Sequence, residues 1–222
     1  MYMSEKQQSL LSESLPNKSS ASRSLLSESY DKIADALADN GFIILDAALP
    51  ESVAQGLLAL IKNREANFKR AGIGRANDYQ LDDSIRGDAI QWLEPGEPVI
   101  DEFLAEMDQL RLAMNERLFL GLFDYEAHFA SYAPGAFYKK HRDAFRGNPG
   151  RKLSSVFYLN PDWDLAAGGE LVLYDEAGEH ELVRVAPEYG RLILFLSEDF
   201  PHEVLPATRA RHSIAGWFRI KP

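Results

Sequence analysis

Five histidines are the first residues to consider for chemistry in this chain, because it contains no cysteine. Without thiolates there is no disulfide, iron–sulfur cluster, thiolate zinc site or cysteine nucleophile. A metal ion would have to bind imidazole nitrogens and carboxylate oxygens. The question is therefore which histidines converge with an acidic residue, and the candidates are His128, His141, His180, His202 and His212.

The tripeptide His141-Arg142-Asp143 is the strongest candidate. In a strand, alternate side chains share one face, so His141 and Asp143 would project together, about 6 to 7 Å apart along the backbone. An imidazole and a carboxylate at that spacing can take adjacent positions on a metal ion. The same pattern also occurs as a surface ion pair, so the tripeptide alone does not decide between the two.

His202 and Arg211 complete a more specific set of four residues. Two histidines and one carboxylate leave three metal positions open, the arrangement used by non-haem Fe(II) oxygenases. Arg211 begins an alternating strand that we expect to return beside the strand carrying the metal ligands. A guanidinium there suits a dicarboxylate cosubstrate, because it binds a carboxylate through two parallel hydrogen bonds. Arg209 is the competing arginine.

Composition limits the classes of partner. The chain has 24 basic and 34 acidic residues and a formal charge of −10, which argues against a long footprint on nucleic acid or on anionic lipid. No apolar run approaches the ~20 residues needed to cross a bilayer. The first residues also lack the pattern of a secretion signal. We therefore expect a cytoplasmic protein with no nucleic-acid or membrane partner.

The chain is expected to form one domain. Residues 1–24 are rich in polar residues and predict a disordered tail, whereas 25–222 hold enough apolar residues for a single core. In the first part of this domain, helical periodicity alternates with one apolar run, which predicts a strand over 42–46. Helices are predicted from Leu26 to a stop at Asn40-Gly41, from Pro50 to near Gly72, and from about Val99 to Phe119.

The second part is rich in short β runs that are separated by glycine- and proline-containing turns. Helices followed by closely spaced strands predict an α+β domain built on a double-sheet jelly roll. A jelly roll that serves as a binding module is the non-enzymatic alternative. The predicted strands are 127–132, 136–141, 154–160, 170–174, 183–185, 191–196 and 212–219.

Across residues 31–218 the chain resembles the 2-oxoglutarate- and Fe(II)-dependent prolyl 4-hydroxylases, above all the oxygen-sensing enzymes and their bacterial counterparts. The resemblance implies a double-stranded β-helix with the helices packed on its major sheet. It includes the four residues above and four ordered runs: Ile85-Arg86-Gly87-Asp88-Ala89-Ile90-Gln91-Trp92, Tyr132-Ala133-Pro134-Gly135, Tyr158-Leu159-Asn160-Pro161-Asp162-Trp163-Asp164 and Gly168-Gly169-Glu170-Leu171.

The resemblance also implies roles for individual residues. His141, Asp143 and His202 match the iron ligands, and Arg211 with Tyr158 matches the pair that holds the distal carboxylate of 2-oxoglutarate. Two further residues, Tyr132 and Tyr138, match pocket tyrosines. The implied cofactors are Fe(II) and 2-oxoglutarate, with ascorbate as a candidate reductant.

The implied reaction is 4-hydroxylation of a prolyl residue in a cytosolic protein, with release of succinate and CO2. The bacterial relatives suggest elongation factor Tu as one candidate substrate. The alternative within the same chemistry is a hydroxylase of another residue or of a small molecule. Between Tyr132 and His141 the chain is one residue shorter than the animal enzymes, a change that bears on substrate identity.

Two segments are candidates for substrate contact. Residues 72–84 are polar, contain glycine and predict a long loop that closes on the substrate. Residues 139–152 contain six basic residues and one acid, so they either attract an anionic partner or form a solvated loop. The remaining histidines, His128, His180 and His212, are expected to be structural or exposed.

Overall fold

The computed structural model describes residues 25–72, 82, 84–144 and 150–221. The predicted tail over 1–24 lies outside the described residues, and so does most of the predicted loop over 72–84. Within the described part, no helix combines the length and the apolar character needed to cross a bilayer.

Helices dominate the first part of the chain. The first predicted helix is interrupted at Ser29 and forms α1 (Leu25–Glu28) and α2 (Tyr30–Asp39). Gly41 has a φ of +76°, which confirms the predicted stop, and β1 (Phe42–Leu45) follows it. The next helices are α3 (Glu51–Arg64) and α4 (Pro98–Leu118).

The prediction that the second helix continues to near Gly72 is wrong. After Arg64 the chain forms a short 3-10 helix at Glu65–Asn67 and then β2 (Lys69–Arg70), which pairs with β3 (Asp88–Trp92). The apolar Phe68 lies beside Phe129 of the sheet rather than on a helix face, with ring centroids 6.2 Å apart. A tertiary contact therefore overrode the helical spacing of this apolar residue.

Eight strands make up the second part. The seven predicted strands are confirmed, with ends that differ by a few residues, and a short strand that begins at His202 was not predicted. They are β4 (Leu122–Tyr132), β5 (Tyr138–His141), β6 (Arg151–Tyr158), β7 (Leu171–Tyr174), β8 (Glu181–Val185), β9 (Leu192–Leu196), β10 (His202–Val204) and β11 (Arg211–Ile220).

The strands form two antiparallel sheets, as a double-stranded β-helix requires. The major sheet has seven strands in the order β1-β9-β6-β11-β4-β3-β2, and the minor sheet has four in the order β5-β10-β7-β8. Side chains of α2, α3 and α4 pack on the outer face of the major sheet around Phe129, Phe157 and Phe218. A second apolar cluster fills the space between the sheets, around Tyr158, Leu171 and Phe195. The predicted fold class is thus confirmed.

Asn160, just beyond β6, connects the start of β11 to the loop between β8 and β9. Its side-chain nitrogen donates to the carbonyls of Pro187 and His212 at 2.8 and 2.9 Å, and its oxygen accepts from the His212 amide at 2.6 Å. Asn160 is 2% exposed, so water does not replace these partners. The side chain therefore fixes the start of β11, where Arg211 lies.

We expect Asn160→Ala to lower the free energy of unfolding by about 2–4 kcal/mol, because it removes the partners of buried backbone groups. The exposed Asn67 provides the control, and Asn67→Ala is expected to change stability by less than about 0.5 kcal/mol. Urea unfolding monitored by circular dichroism measures both. Equal effects of the two variants would contradict the structural role of Asn160.

Candidate active site

His141, Asp143 and His202 come together in the pocket between the two sheets. One ligand atom from each lies within 4.8 Å of the others, the geometry of a site for one metal ion. Asp143 Oδ1 is 3.7 Å from His141 Nε2, and Asp143 Oδ2 is 3.6 Å from His202 Nε2. The two histidines are paired residues of β5 and β10.

Backbone carbonyls fix the state of both imidazoles. His141 Nδ1 lies 2.8 Å from the Lys139 carbonyl, and His202 Nδ1 lies 3.0 Å from the Phe200 carbonyl. A carbonyl can only accept a hydrogen bond, so each Nδ1 carries a proton and Nε2 is the nitrogen left to bind a metal ion. Burial lowers the pKa of His202 to about 4, which keeps this ring neutral as a metal ligand must be.

Asp143 is positioned differently from the prediction. β5 ends at His141, so Asp143 is not two residues along the same strand but in the bend that follows it. Its Oδ2 instead accepts a hydrogen bond from Ser154 Oγ at 2.7 Å, and Ser154 in turn lies 2.8 Å from the Ser197 hydroxyl. Burial opposes ionisation of Asp143, but the neighbouring His202 and His141 hold its pKa well below the usual range.

The Ser154–Ser197 pair was missed by the sequence analysis. Both hydroxyl groups are buried, and they come from residues 43 positions apart in the chain, one in β6 and one just beyond β9. Serine in a strand has no distinguishing pattern, so only the pairing of β6 with β9 could have shown this contact.

Arg211 is a buried cation at the other end of the pocket. It is 1% exposed, and no carboxylate in the described part of the chain pairs with it. Its Nε donates to the Gly169 carbonyl at 2.9 Å and its Nη1 to Ser213 Oγ at 3.4 Å, while Nη2 is buried without a partner. Gly169 has a φ of +79°, and a Cβ at this position would lie 2.9 Å from Ala207. Glycine at 169 therefore allows the close packing in which its carbonyl accepts from Arg211.

Two tyrosines flank the guanidinium. The Arg211 Cζ lies 4.9 Å from the ring centroid of Tyr132 and 5.1 Å from that of Tyr158. The Tyr158 hydroxyl is also buried without a hydrogen-bond partner, and burial raises its pKa although Arg211 opposes this. The Nη2 donor of a buried cation and a phenol donor, both without an acceptor among the described residues, fit a bound carboxylate.

Arg209 lies outside this pocket. Its Nη1 donates to the Asp162 carbonyl at 3.0 Å, and its Cζ lies 5.0 Å from the ring centroid of Trp163 on the surface. The geometry therefore favours Arg211 over Arg209. The expectation that the strand of Arg211 returns beside the metal ligands is wrong: β11 pairs with β4 and β6 in the major sheet, and faces β5 across the pocket.

Tyr138 lies directly against a metal-binding histidine. Its ring stacks on His141 with centroids 3.6 Å apart, and the Arg86 guanidinium lies 4.7 Å from the tyrosine centroid. Arg86 also makes a two-point ion pair with the buried Asp88, at 2.6 and 2.9 Å. The ion pair thus supports the Tyr138–His141 stack from β3, a role that the sequence analysis did not assign.

Most described cations of the basic segment 139–152 have internal partners. Lys140 donates to the Gly178 carbonyl and lies over the Tyr174 ring, and Arg142 donates to the carbonyls of Glu198 and Glu176. Arg151 and Lys152 pair with carboxylates. These contacts favour the alternative in which those four cations do not bind an anionic partner. Residues 145–149 lie outside the described residues.

The other histidines do not join the metal-binding cluster. His180 is exposed and lies 2.8 Å from Asp175, and His212 is at the start of β11. His128 is buried, as expected of a structural residue, but it lines the pocket.

Comparison with known proteins agrees with this geometry. Residues 127–219 match the model of the 2OG-Fe(II) oxygenase superfamily. The prolyl hydroxylase EGLN3 of Mus musculus is 30% identical over 203 residues, which are 84% of this chain and 81% of the relative. Egl nine homolog 1 of Homo sapiens is a longer relative, and the match spans 33% of its length.

Two solved structures have the same fold. A prolyl-4-hydroxylase of Pseudomonas putida is 43% identical, with a TM-score of 0.76 over 87% of this chain and 100% of the other. A prolyl hydroxylase of Trichoplax adhaerens, solved with a hypoxia inducible factor peptide fragment, is 29% identical, with a TM-score of 0.77 over 86% of this chain and 89% of the other. The chain therefore belongs to the prolyl hydroxylases of the 2-oxoglutarate- and Fe(II)-dependent oxygenase superfamily.

Proposed function

We propose that this protein is a prolyl 4-hydroxylase of a cytosolic protein, coupling O2 and 2-oxoglutarate to hydroxylation with release of succinate and CO2. The observation that carries the proposal is one pocket that joins a three-residue metal site to a buried arginine, for which the described residues provide no counter-ion. The relatives support the choice of a prolyl residue, since they are named as prolyl hydroxylases.

Three residues would hold the metal ion. His141 and His202 present their Nε2 atoms, and Asp143 supplies the anionic oxygen. When bound, Fe(II) supplies the O2 chemistry that hydroxylates an unactivated carbon, with 2-oxoglutarate as the source of electrons. The hydrogen bond from Ser154 holds Asp143 Oδ2 in place, so the carboxylate does not need to be ordered when the ion binds.

The opposite end of the pocket would orient the cosubstrate. Arg211 Nη2 and the Tyr158 hydroxyl can both donate to one carboxylate, which would direct the 2-oxo acid group at the other end of the molecule toward the metal site. Burial of both residues excludes water from this contact and strengthens it. The Tyr138 ring, stacked on His141, shields one side of the metal site.

A protein is the substrate class that the comparisons favour. The Trichoplax adhaerens enzyme was solved with a peptide of hypoxia inducible factor. For this chain, elongation factor Tu is the first candidate to test. A hydroxylase of another residue or of a small molecule remains the alternative, and the same assay separates them because it identifies the oxidised product.

The first prediction concerns turnover. With Fe(II), 2-oxoglutarate, ascorbate and elongation factor Tu, we expect one added oxygen on a prolyl residue by mass spectrometry, together with succinate. His141→Ala, Asp143→Ala and His202→Ala should each abolish both products, because a two-ligand site does not hold the ion. The matched control is His180→Ala, an exposed histidine outside the cluster.

Retention of near-normal succinate formation by the three variants would refute the site assignment. Succinate formation without hydroxyproline in elongation factor Tu or in a proteome of the source cell would instead contradict the prolyl assignment and favour the alternative substrates.

The second prediction concerns the positioning of Asp143. We expect Ser154→Ala to weaken Mn(II) binding, measured by isothermal titration calorimetry, by about 10- to 100-fold, as removal of an outer hydrogen bond to a ligand typically does. The adjacent Ser155 is the control, because its hydroxyl bonds to Tyr125 rather than to Asp143. If Ser155→Ala weakened binding as much, the effect would come from general loosening of β6.

The third prediction concerns the carboxylate anchor. Arg211→Lys should raise the Kd for 2-oxoglutarate at least about tenfold, since a lysine cannot reproduce the planar fork in a desolvated pocket. Arg209→Lys should have little effect, because Arg209 bonds to a surface carbonyl. Titration of the Mn(II)-loaded enzyme with 2-oxoglutarate measures both, and the reverse ranking would assign the role to Arg209.

A further inference from the structure

The pocket has a closed end and an open end. Arg211 pairs with Tyr132 across β11 and β4, and it is buried. Four residues back along β4, a distance of about 13 Å, His128 pairs with Trp92 of β3, which is 45% exposed. Trp217 stands opposite Ser154, the residue that bonds to Asp143. The exposed Trp92 packs on both His128 and Trp217, with ring centroids 5.1 and 6.4 Å apart, so these two residues lie just beneath the surface and we expect a large substrate to approach the metal site from this side.

His128 presents a hydrogen-bond acceptor at this open end. Its Nδ1 lies 3.1 Å from the Phe129 carbonyl, so Nδ1 carries a proton. Burial, reinforced by Arg86, lowers the pKa of His128 to about 4, so the ring has no second proton near neutral pH. Nε2 therefore carries a lone pair that can accept a hydrogen bond. No side chain or backbone group in the described part of the chain donates to it.

Trp217 presents the complementary donor beside it. Its ring centroid is 5.4 Å from that of His128, and its buried indole Nε1 has no hydrogen-bond partner among the residues that the structure describes. Trp217 is 7% exposed and lines the pocket together with His128. An unpaired buried N–H costs free energy in the folded protein, which a ligand acceptor would recover.

The open end is polar but electrically balanced. Arg86 is paired with Asp88 at 2.6 Å, and Arg151, whose Cζ lies 3.6 Å from the Trp217 ring centroid, is paired with Glu126 at 2.9 Å. Because these cations already have acidic partners, the site suits a neutral group. One adjacent donor and one adjacent acceptor match the N–H and C=O of one residue in an extended chain, which project to the same side.

We propose that His128 and Trp217 bind the backbone of a residue adjacent to the target proline, with Nε2 accepting its N–H and the indole donating to its C=O. The bound residue is not the proline itself, because proline has no N–H. This inference rests on the proposed prolyl hydroxylation and adds a determinant of substrate specificity to it. His128 thereby acts in substrate binding and not in the binding of metal or cosubstrate.

The test uses a peptide around the hydroxylated proline found in the turnover assay. Two ester analogues replace the N–H before or after the proline by oxygen, one at a time. Binding is measured by fluorescence anisotropy with the Mn(II)- and 2-oxoglutarate-loaded full chain, so that no turnover occurs. We expect one of the two analogues to bind about tenfold more weakly than the amide peptide, the cost of one lost hydrogen bond in a buried site.

Protein variants identify the partner of that N–H. His128→Met should weaken binding of the amide peptide by about the same factor and leave the ester analogue unchanged. His128→Gln, whose side-chain oxygen can occupy the position of Nε2, should restore the preference for the amide. Trp217→Phe should weaken all three peptides equally. Mn(II) and 2-oxoglutarate affinities should stay constant in the His128 variants, which a merely structural role of this residue would not predict.

The outcomes separate the two proposals. If no proline is hydroxylated, the proposed function fails. If a proline is hydroxylated but both esters bind as tightly as the amide, or the amide preference persists in His128→Met, the role of His128 is wrong. Because the ester analogues act on the unmodified protein, this result does not depend on the folding of any variant.

Discussion

A buried guanidinium with no acidic partner among the described residues is the constraint on which the pocket depends. Desolvating such a charge costs several kcal/mol unless hydrogen bonds replace water. Around Arg211 the replacement is partial. The Gly169 carbonyl, the Ser213 hydroxyl and two tyrosine rings face the guanidinium, but its Nη2 has no hydrogen-bond partner among the described residues. This cost lowers the stability of the unliganded protein and is offset when an anion binds, which raises the affinity for the anion.

The difference in exposure between the two ends of the pocket imposes an order on its occupants. On an approach from the open end, a small dicarboxylate must pass the metal-binding residues to reach the buried Arg211. A polypeptide bound at the open end would block that path. We therefore expect the cosubstrate to bind before the substrate for steric reasons.

The sequence predicts the fold class and the seven longer β runs because the alternation of apolar residues, glycine and proline is local information. The four residues His141, Asp143, His202 and Arg211 are also identifiable, since their types restrict the chemistry. What the sequence does not show is how they are held. Asp143 lies in a bend and is fixed by Ser154, and His202 lies in a strand of three residues that has no periodicity to detect. These contacts depend on strand pairings between distant segments, and the pairing of β2 with β3 likewise replaces the last part of the predicted second helix.

The two halves of the site belong to different sheets. The metal-binding histidines project from β5 and β10 of the minor sheet, whereas Arg211, Tyr158 and Tyr132 project from the major sheet. The hydrogen bond between Ser154 and Asp143 joins them. A dicarboxylate that is anchored at Arg211 and reaches the metal ion would contact both halves, so it would bind more tightly when the metal ion is present. Metal and dicarboxylate affinities are thereby thermodynamically linked, each rising by the same factor when the other site is filled.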